Sequence, residues 1–378
     1  MKTMFARLFT FAAAVALVAT AAAKEPPRFK TKKPLVQIAV LLDTSNSMDG
    51  LIGQAKSQLW KIVNEFLRAR QDGEMPEVQV ALFEYGNNNL SAQAGYIRKV
   101  SDFTTDLDLI SEKLFALKTN GGEEYCGWVI KDALDRLEWS PSARAYKAMF
   151  IAGNEPFTQG AVDYNDSCKA AKARGILVNT IHCGDERAGV DTMWRDGARL
   201  GDGKFLVIDQ DRAVPYVEAP QDKEIAKLSS DLNGTYLAYG VAGRRNSVRQ
   251  QAQDANAETF ALAGAPVSRA VAKASANYRN DSWDLVDAAK QKDFKLDALP
   301  EAELPAMVAA LPPAGRVEFV AKKSQEREEL QQKIQTLNAA REKFVAAKLK
   351  TAAGSNTLDT VVITTIREQA QTRAFKFE

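Results

Sequence analysis

Two hydrophobic rhythms alternate between Pro34 and about Gly240. Val36-Gln37-Ile38-Ala39-Val40-Leu41-Leu42 is a nearly continuous apolar run, the pattern of a strand buried on both faces of a sheet. After a polar loop, Ile52, Ala55, Leu59, Val63 and Phe66 recur at spacings of three and four, which predicts an amphipathic helix. Val78 to Phe83 reads as a second strand, and the stretch around Ala94 to Val100 as a third, at an edge. Helices are predicted over about 107–117, 127–137 and 168–174. Further strands are predicted over Ala148–Ala152, Ile176–Ile181 and Phe205–Ile208. This alternation specifies an α/β fold, a Rossmann-like, mostly parallel six-stranded sheet with helices on both faces. Right-handed crossovers place every strand-to-helix loop at one end of such a sheet. Ligands bind at that carboxyl end, where the strand order switches. Asp43, Glu123, Asn154 and Cys183 are thereby expected at the same end.

Beyond about Gly243 the strand-like runs stop, and Ala, Gln, Glu, Lys and Arg dominate. Residues 241–378 are expected to form a mainly α-helical C-terminal region. Helices are predicted over Val267–Tyr278 and Gln325–Leu349, with Pro300, Pro305, Pro312 and Pro313 marking a break between them. Leu330, Ile334, Leu337 and Phe344 lie on one stripe. Arg341 interrupts that stripe and argues for a short packed helix over a long coiled coil.

The first residues read differently. Lys2 and Arg7 precede an apolar stretch from Leu8 to Val18, and Ala21-Ala22-Ala23 fits the small-x-small pattern of a signal-peptide cleavage site. Residues 1–23 are expected to be a cleavable signal peptide and 24–33 a linker, with an uncleaved anchor as the alternative. The run is shorter than the about 20 apolar residues a bilayer span needs. A periplasmic or secreted location follows, with no stable membrane span after cleavage. Loss of residues 1–23 leaves 48 basic residues against 48 acidic ones. A neutral chain lacks the electrostatic footprint of a nucleic-acid binder.

Candidate chemistry concentrates in the loop after the first strand, Asp43-Thr44-Ser45-Asn46-Ser47. A carboxylate and two hydroxyls at alternate positions converge from one tight loop. All are hard oxygen donors, suited to Mg²⁺, Mn²⁺ or Ca²⁺. The alternative is that Ser45 and Ser47 cap the following helix. Asp-x-Ser-x-Ser directly after a hydrophobic first strand resembles the opening of the metal-ion-dependent adhesion site of von Willebrand factor type A (VWA) domains. The resemblance covers about residues 34–240 and implies a domain that binds a protein partner through a divalent cation.

Two departures from the family pattern stand out. The family supplies a threonine from a glycine-rich second loop. Here that loop reads Thr119-Asn120-Gly121-Gly122-Glu123-Glu124, so Glu123 or Glu124 stands at the threonine's place. The family also ends its fourth strand with an aspartate. Ungapped alignment puts Asn154 there, whereas a one-residue slip puts Gly153 there and leaves no ligand. The resemblance therefore implies a degenerate site drawn from Asp43, Ser45, Ser47, Glu123, Glu124 and Asn154.

The remaining candidates offer less. Cys168 falls early in a helix and Cys183 ends the strand that follows. In an oxidising compartment that order suits a Cys168–Cys183 disulfide, with three buried thiols as the alternative. His182 is the only histidine, which argues against a histidine-pair metal site and against a Ser-His-Asp triad. Cys126 begins a helix, where a thiolate is favoured, but only His182 offers a base. Three functions remain, in falling order: an exported partner-binding protein, a cell-envelope scaffold acting through the helical tail, and a metal-assisted hydrolase. A non-enzymatic role is expected.

Overall fold

The computed structural model describes residues 33–211, 216–349 and 357–377. The expected signal peptide and nearly all of the linker lie outside the described residues. In chain order the strands are β1 (Leu35–Asp43), β2 (Ala69–Arg70), β3 (Glu77–Tyr85), β4 (Ile97–Thr104), β5 (Tyr146–Gly153), β6 (Leu177–Cys183), β7 (Asp202–Ile208) and β8 (Lys376–Phe377). Six of them form one sheet in the order β4-β3-β1-β5-β6-β7. All pairings in it are parallel except that of β4, the antiparallel edge strand. The fold is thus the six-stranded, mostly parallel α/β sheet that the hydrophobic rhythm predicts.

The helices α1 (Asp49–Glu65), α2 (Leu107–Phe115), α3 (Cys126–Arg136), α4 (Tyr164–Ala173), α5 (Glu186–Asp191) and α6 (Trp194–Leu200) alternate with the strands. β1 is central, and its side chains serve two cores because successive residues point to opposite faces. Val36, Ile38 and Leu42 join one core with Leu51, Trp60 and Val63 of α1. Ala39 and Leu41 join the other with Val129 and Ile130 of α3 and Trp194 of α6. A strand buried on both sides is apolar at nearly every position, which is why its period-two signal is absent.

The run of helices without strands begins before the expected boundary, with α7 (Asp222–Asn233), and continues through α8 (Gly240–Glu258), α9 (Ala265–Lys273), α10 (Leu285–Ala288), α11 (Ala306–Ala309), α12 (Pro313–Leu349) and α13 (Leu358–Gln371). Its own core gathers Ile225 and Leu232 of α7, Val267 and Val271 of α9, and Leu330 and Ile334 of α12. α12 is 37 residues long, not the short helix expected from the polar break at Arg341. Arg341 does not interrupt packing, because its Nε donates to Asp222 Oδ1 at 2.6 Å and its guanidinium lies 5.4 Å from the Tyr216 ring centre.

The compositional change at about residue 240 is not a break in packing. Arg269 of α9 lies 4.6 Å over the ring of Trp60 in α1. Leu358, Val362, Ile366 and Ala370 of α13 enter the sheet core beside α1. Gln369 Nε2 donates to Asn179 Oδ1 of β6 at 2.6 Å, and β8 pairs with β2. The last residues of the chain therefore complete the first core.

Candidate metal centre

The carboxyl end of β1 is the switch point of the sheet, with β3 on one side and β5 on the other. Asp43 is the last residue of β1, opposite Tyr85 of β3, and is fully buried. Its Oδ1 accepts the Ser45 amide at 2.8 Å. Its Oδ2 is buried and has no hydrogen-bond partner. Leaving a buried carboxylate oxygen unserved costs on the order of 1–3 kcal/mol or more, so a proton or a cation is strongly favoured there.

The serines of the loop do not act as caps. Ser45 precedes a single 3-10 turn, Asn46–Met48, and α1 begins after Met48; neither helix start has a side-chain cap. The Ser45 and Ser47 hydroxyls lie 3.2 Å apart, and Ser47 Oγ donates to Asn154 Oδ1 at 3.3 Å. Surrounding residues hold the loop. Thr44 donates its amide to Tyr85 O at 2.9 Å, and Asn87 Nδ2 donates to Thr44 O at 3.3 Å. Gln210, just past β7, donates Nε2 to Ser47 O at 2.8 Å.

The second loop sets its two glutamates in different surroundings. Glu123 is exposed, and Glu124 is buried. Gly86, at φ +75°, separates Glu124 from Asp43. A Cβ on Gly86 would stand 2.8 Å from both Asp43 Oδ1 and Glu124 Cγ, so only glycine lets the two carboxylates share this space. Thr119 of the same loop points elsewhere and donates to Asp49 Oδ1 at 2.5 Å. On the third side, a Cβ on Gly153 would stand 2.6 Å from Tyr85 Oη and 3.0 Å from Asp43 Oδ2. Gly153 ends β5, and the next residue, Asn154, delivers its side chain to Ser47. Asn154 rather than Gly153 therefore meets the loop.

The electrostatics match this crowding. Burial pushes the Asp43 carboxyl up to about 7, against the opposing pull of the Ser45 amide and hydroxyl and with a further push from Glu155. Burial pushes Glu124 up to about 8, reinforced by the charges of Asp43 and Glu155. Two acids that resist ionisation beside each other are what a divalent cation relieves. Among the described residues no three His, Cys, Asp or Glu side chains converge as a metal cluster. The donors gathered here are two carboxylates, two hydroxyls and one amide, all hard oxygens. They fit a cation of the Mg²⁺ or Mn²⁺ type. Gly86 and Glu155 are not among the residues the sequence nominates, and Gly153 enters there only as the alternative to Asn154. The available signal was their place directly at, or one or two residues past, a strand end.

The cysteines correct an expectation. All three are free and buried. Cys168 packs in the core on the α3 face of the sheet, and Cys183 in the core on the α1 face. The sheet itself separates them, so no Cys168–Cys183 disulfide forms. The Cys126 thiol donates to Tyr85 Oη at 3.8 Å, and burial pushes its pKa well up. His182 is buried against Trp194, with ring centres 5.7 Å apart, and burial pushes its pKa down. The two therefore lack the thiolate character that a Cys-His nucleophile needs.

The six-stranded, mostly parallel sheet with helices on both faces is a VWA-like, Rossmann-type fold. No protein-family model matches the chain, and no curated protein matches it. Similar solved structures include the conserved hypothetical protein BatB from Bacteroides thetaiotaomicron, at 16% identity over 46% of this chain and 90% of that one, TM-score 0.35. The SpRpn10 VWA domain is 18% identical over 46% of this chain and 87% of its own, TM-score 0.35. Proximal thread matrix protein 1 from the mussel byssus, with a zinc-occupied MIDAS motif, is 16% identical over 48% of this chain and 43% of its own, TM-score 0.36.

Proposed function

We propose that the carboxyl end of the sheet binds a divalent cation and, through it, a protein partner. The observation that carries the reading is Asp43 Oδ2, a buried carboxylate oxygen with no donor, across Gly86 from a second buried carboxylate, Glu124. Asp43, Ser45 and Ser47 would hold the cation from the first loop. Glu124 would supply the second charge, and Asn154 would act through Ser47 or a bound water. Glu123, exposed on the rim, is not a ligand in this reading. The bound cation would serve as a Lewis-acid docking point for an oxygen of the partner.

The surroundings support an acidic or oxygen-rich partner group. Next to the loop lies a cleft of about 350 Å³ whose lining includes Asp49, Gly53, Lys56, Lys118, Thr119 and Phe260. Lys118 is exposed there, and Lys56 is half-buried with its Nζ donating to Leu117 O at 3.3 Å. With both Asp43 and Glu124 ionised the loaded site is close to neutral. It would then select its partner through this rim and its shape more than through cation charge alone. The reading is one of recognition and not of turnover. The N-terminal pattern supports a protein that acts after export, and among the described residues no helix is long and apolar enough to cross a membrane.

The test is metal analysis of the purified protein after equilibration with Mg²⁺ or Mn²⁺, wild type beside Asp43→Ala. About one equivalent bound by the wild type and none by the variant is expected. Equal metal content in both, with both folded, sinks the cation reading.

A further inference from the structure

Helix α8 is turned inside out. Its buried face carries Gly243, Asn246, Gln250, Gln253 and Ala257. These polar groups are satisfied: Gln250 Nε2 donates to Tyr278 Oη at 3.0 Å, and Gln253 Oε1 accepts Ser111 Oγ at 2.8 Å. The opposite face carries Val241, 79% exposed, and Val248, 67% exposed. Ala255, also exposed, follows seven residues on; Leu262, 92% exposed, stands past the helix end in the turn Ala261–Ala263. Side chains seven apart lie on one helical stripe, the spacing of a helix–helix seam. The inward polar face accounts for the helix's orientation, and it leaves the apolar stripe uncovered.

We infer that this stripe is a dimer interface, and that its occupant is α8 of a second copy of the chain, packed antiparallel about a two-fold axis near Gln251. That register is self-complementary. It sets Val248 against Ala255 of the second copy, once on each side of the axis. In an antiparallel pair the same flank of each helix meets its counterpart. Arg244 and Glu258 lie on one flank and fall at matching heights, so each Arg244 faces Glu258 of the second copy. Among the described residues neither has an ion-pair partner within its own chain. A parallel pair would lose this match. The interface repeats one patch on both subunits, as two-fold symmetry requires. A 19-residue helix is about 28 Å long, so the contact is small. A dimer that half-dissociates at roughly 10–100 µM is expected.

Sedimentation velocity of the full chain, from about 1 to about 500 µM, tests this directly. The wild type should shift from monomer to dimer across that range. Val248→Glu should remain monomeric, because it places a charge in the seam. Arg244→Glu should weaken the dimer about tenfold or more by setting acid against acid twice. Arg244→Glu combined with Glu258→Arg should regain dimerisation. All substituted positions are exposed, and circular dichroism confirms that the variants fold. A wild type that stays monomeric throughout overturns the inference. So does a Val248→Glu variant that still dimerises, or a double reversal that does not recover.

Discussion

At the level of single residues, the carboxyl end of β1 brings two buried acids together, Asp43 from the strand and Glu124 from the second loop. The Asp43 and Glu124 carboxyls stand at about 7 and about 8 in the folded protein, against about 4 for such groups in an unfolded chain. An acid whose pKa is raised by folding favours the fold while it is protonated. Its contribution is full below about pH 4 and is lost as the pH rises to about 7 for Asp43 and about 8 for Glu124. Metal-free protein should therefore lose stability across this window, and the loss should be smaller in Asp43→Asn. Thermal unfolding in chelator at about pH 5 and about pH 8 measures it; equal losses in the two proteins would contradict the assignment. Cation binding requires the ionised forms, so affinity should rise over the same interval and protons should be released. Calorimetry with Mn²⁺ in two buffers of different ionisation enthalpy would read that release. Glu124→Gln should lower affinity by about tenfold or more, through loss of a charged ligand, whereas Glu123→Gln should leave it nearly unchanged. The sequence could nominate both glutamates but not choose between them. Their difference lies in which one passes over Gly86, a contact between residues far apart in the chain.

Whole elements were legible to different degrees. β1, β3, β5 and β6 were visible because strands buried on both faces carry unbroken apolar runs. The edge strand β4 was placed only loosely, since one of its faces is wet and its pattern is dilute. α12 was misjudged in length because Arg341 was counted as a polar break, while its ion pair with Asp222 lies 119 residues away in sequence. The proposed disulfide failed for a related reason. Helix and strand order alone do not say which face of the sheet a helix covers. Between the sheet, α1, α2 and α13 an apolar cavity of about 80 Å³ remains, lined in part by Val40, Leu82, Phe150 and Val362. Such a void is a reserve of stability. Val40→Ile adds one methyl group at its wall in a strand that favours branched side chains. A gain of about 1 kcal/mol is expected, visible as a higher denaturant midpoint at unchanged slope. A lower midpoint would mean that the cavity cannot take the methyl group in this direction.

At the scale of the whole molecule, the sequence suggests a globular front and a helical tail, but the chain closes on itself. α13 lies against α1 and β7 in the place of a sheet-covering helix. Leu358, Val362, Ile366 and Phe375 are nearly fully buried there. Asp359 receives Lys61 Nζ at 2.5 Å, and Arg367 pairs with Glu65 at 2.6 and 2.9 Å. Burial of four such side chains is worth roughly 2 kcal/mol each, comparable to the whole net stability of a typical domain, about 5–15 kcal/mol. The tail therefore cannot be removed as an appendage. A chain ending at Leu349 should lose cooperative unfolding or fail to accumulate as soluble protein, even though every strand of the main sheet and every residue around Asp43 is retained. A milder variant, Ile366→Ala, should fold and lose about 2–5 kcal/mol, measured by urea unfolding. If the truncated chain instead unfolds cooperatively at the wild-type midpoint, α13 is a passenger. The scaffold function through an independent tail would then become the stronger reading, because the sheet domain would stand without it.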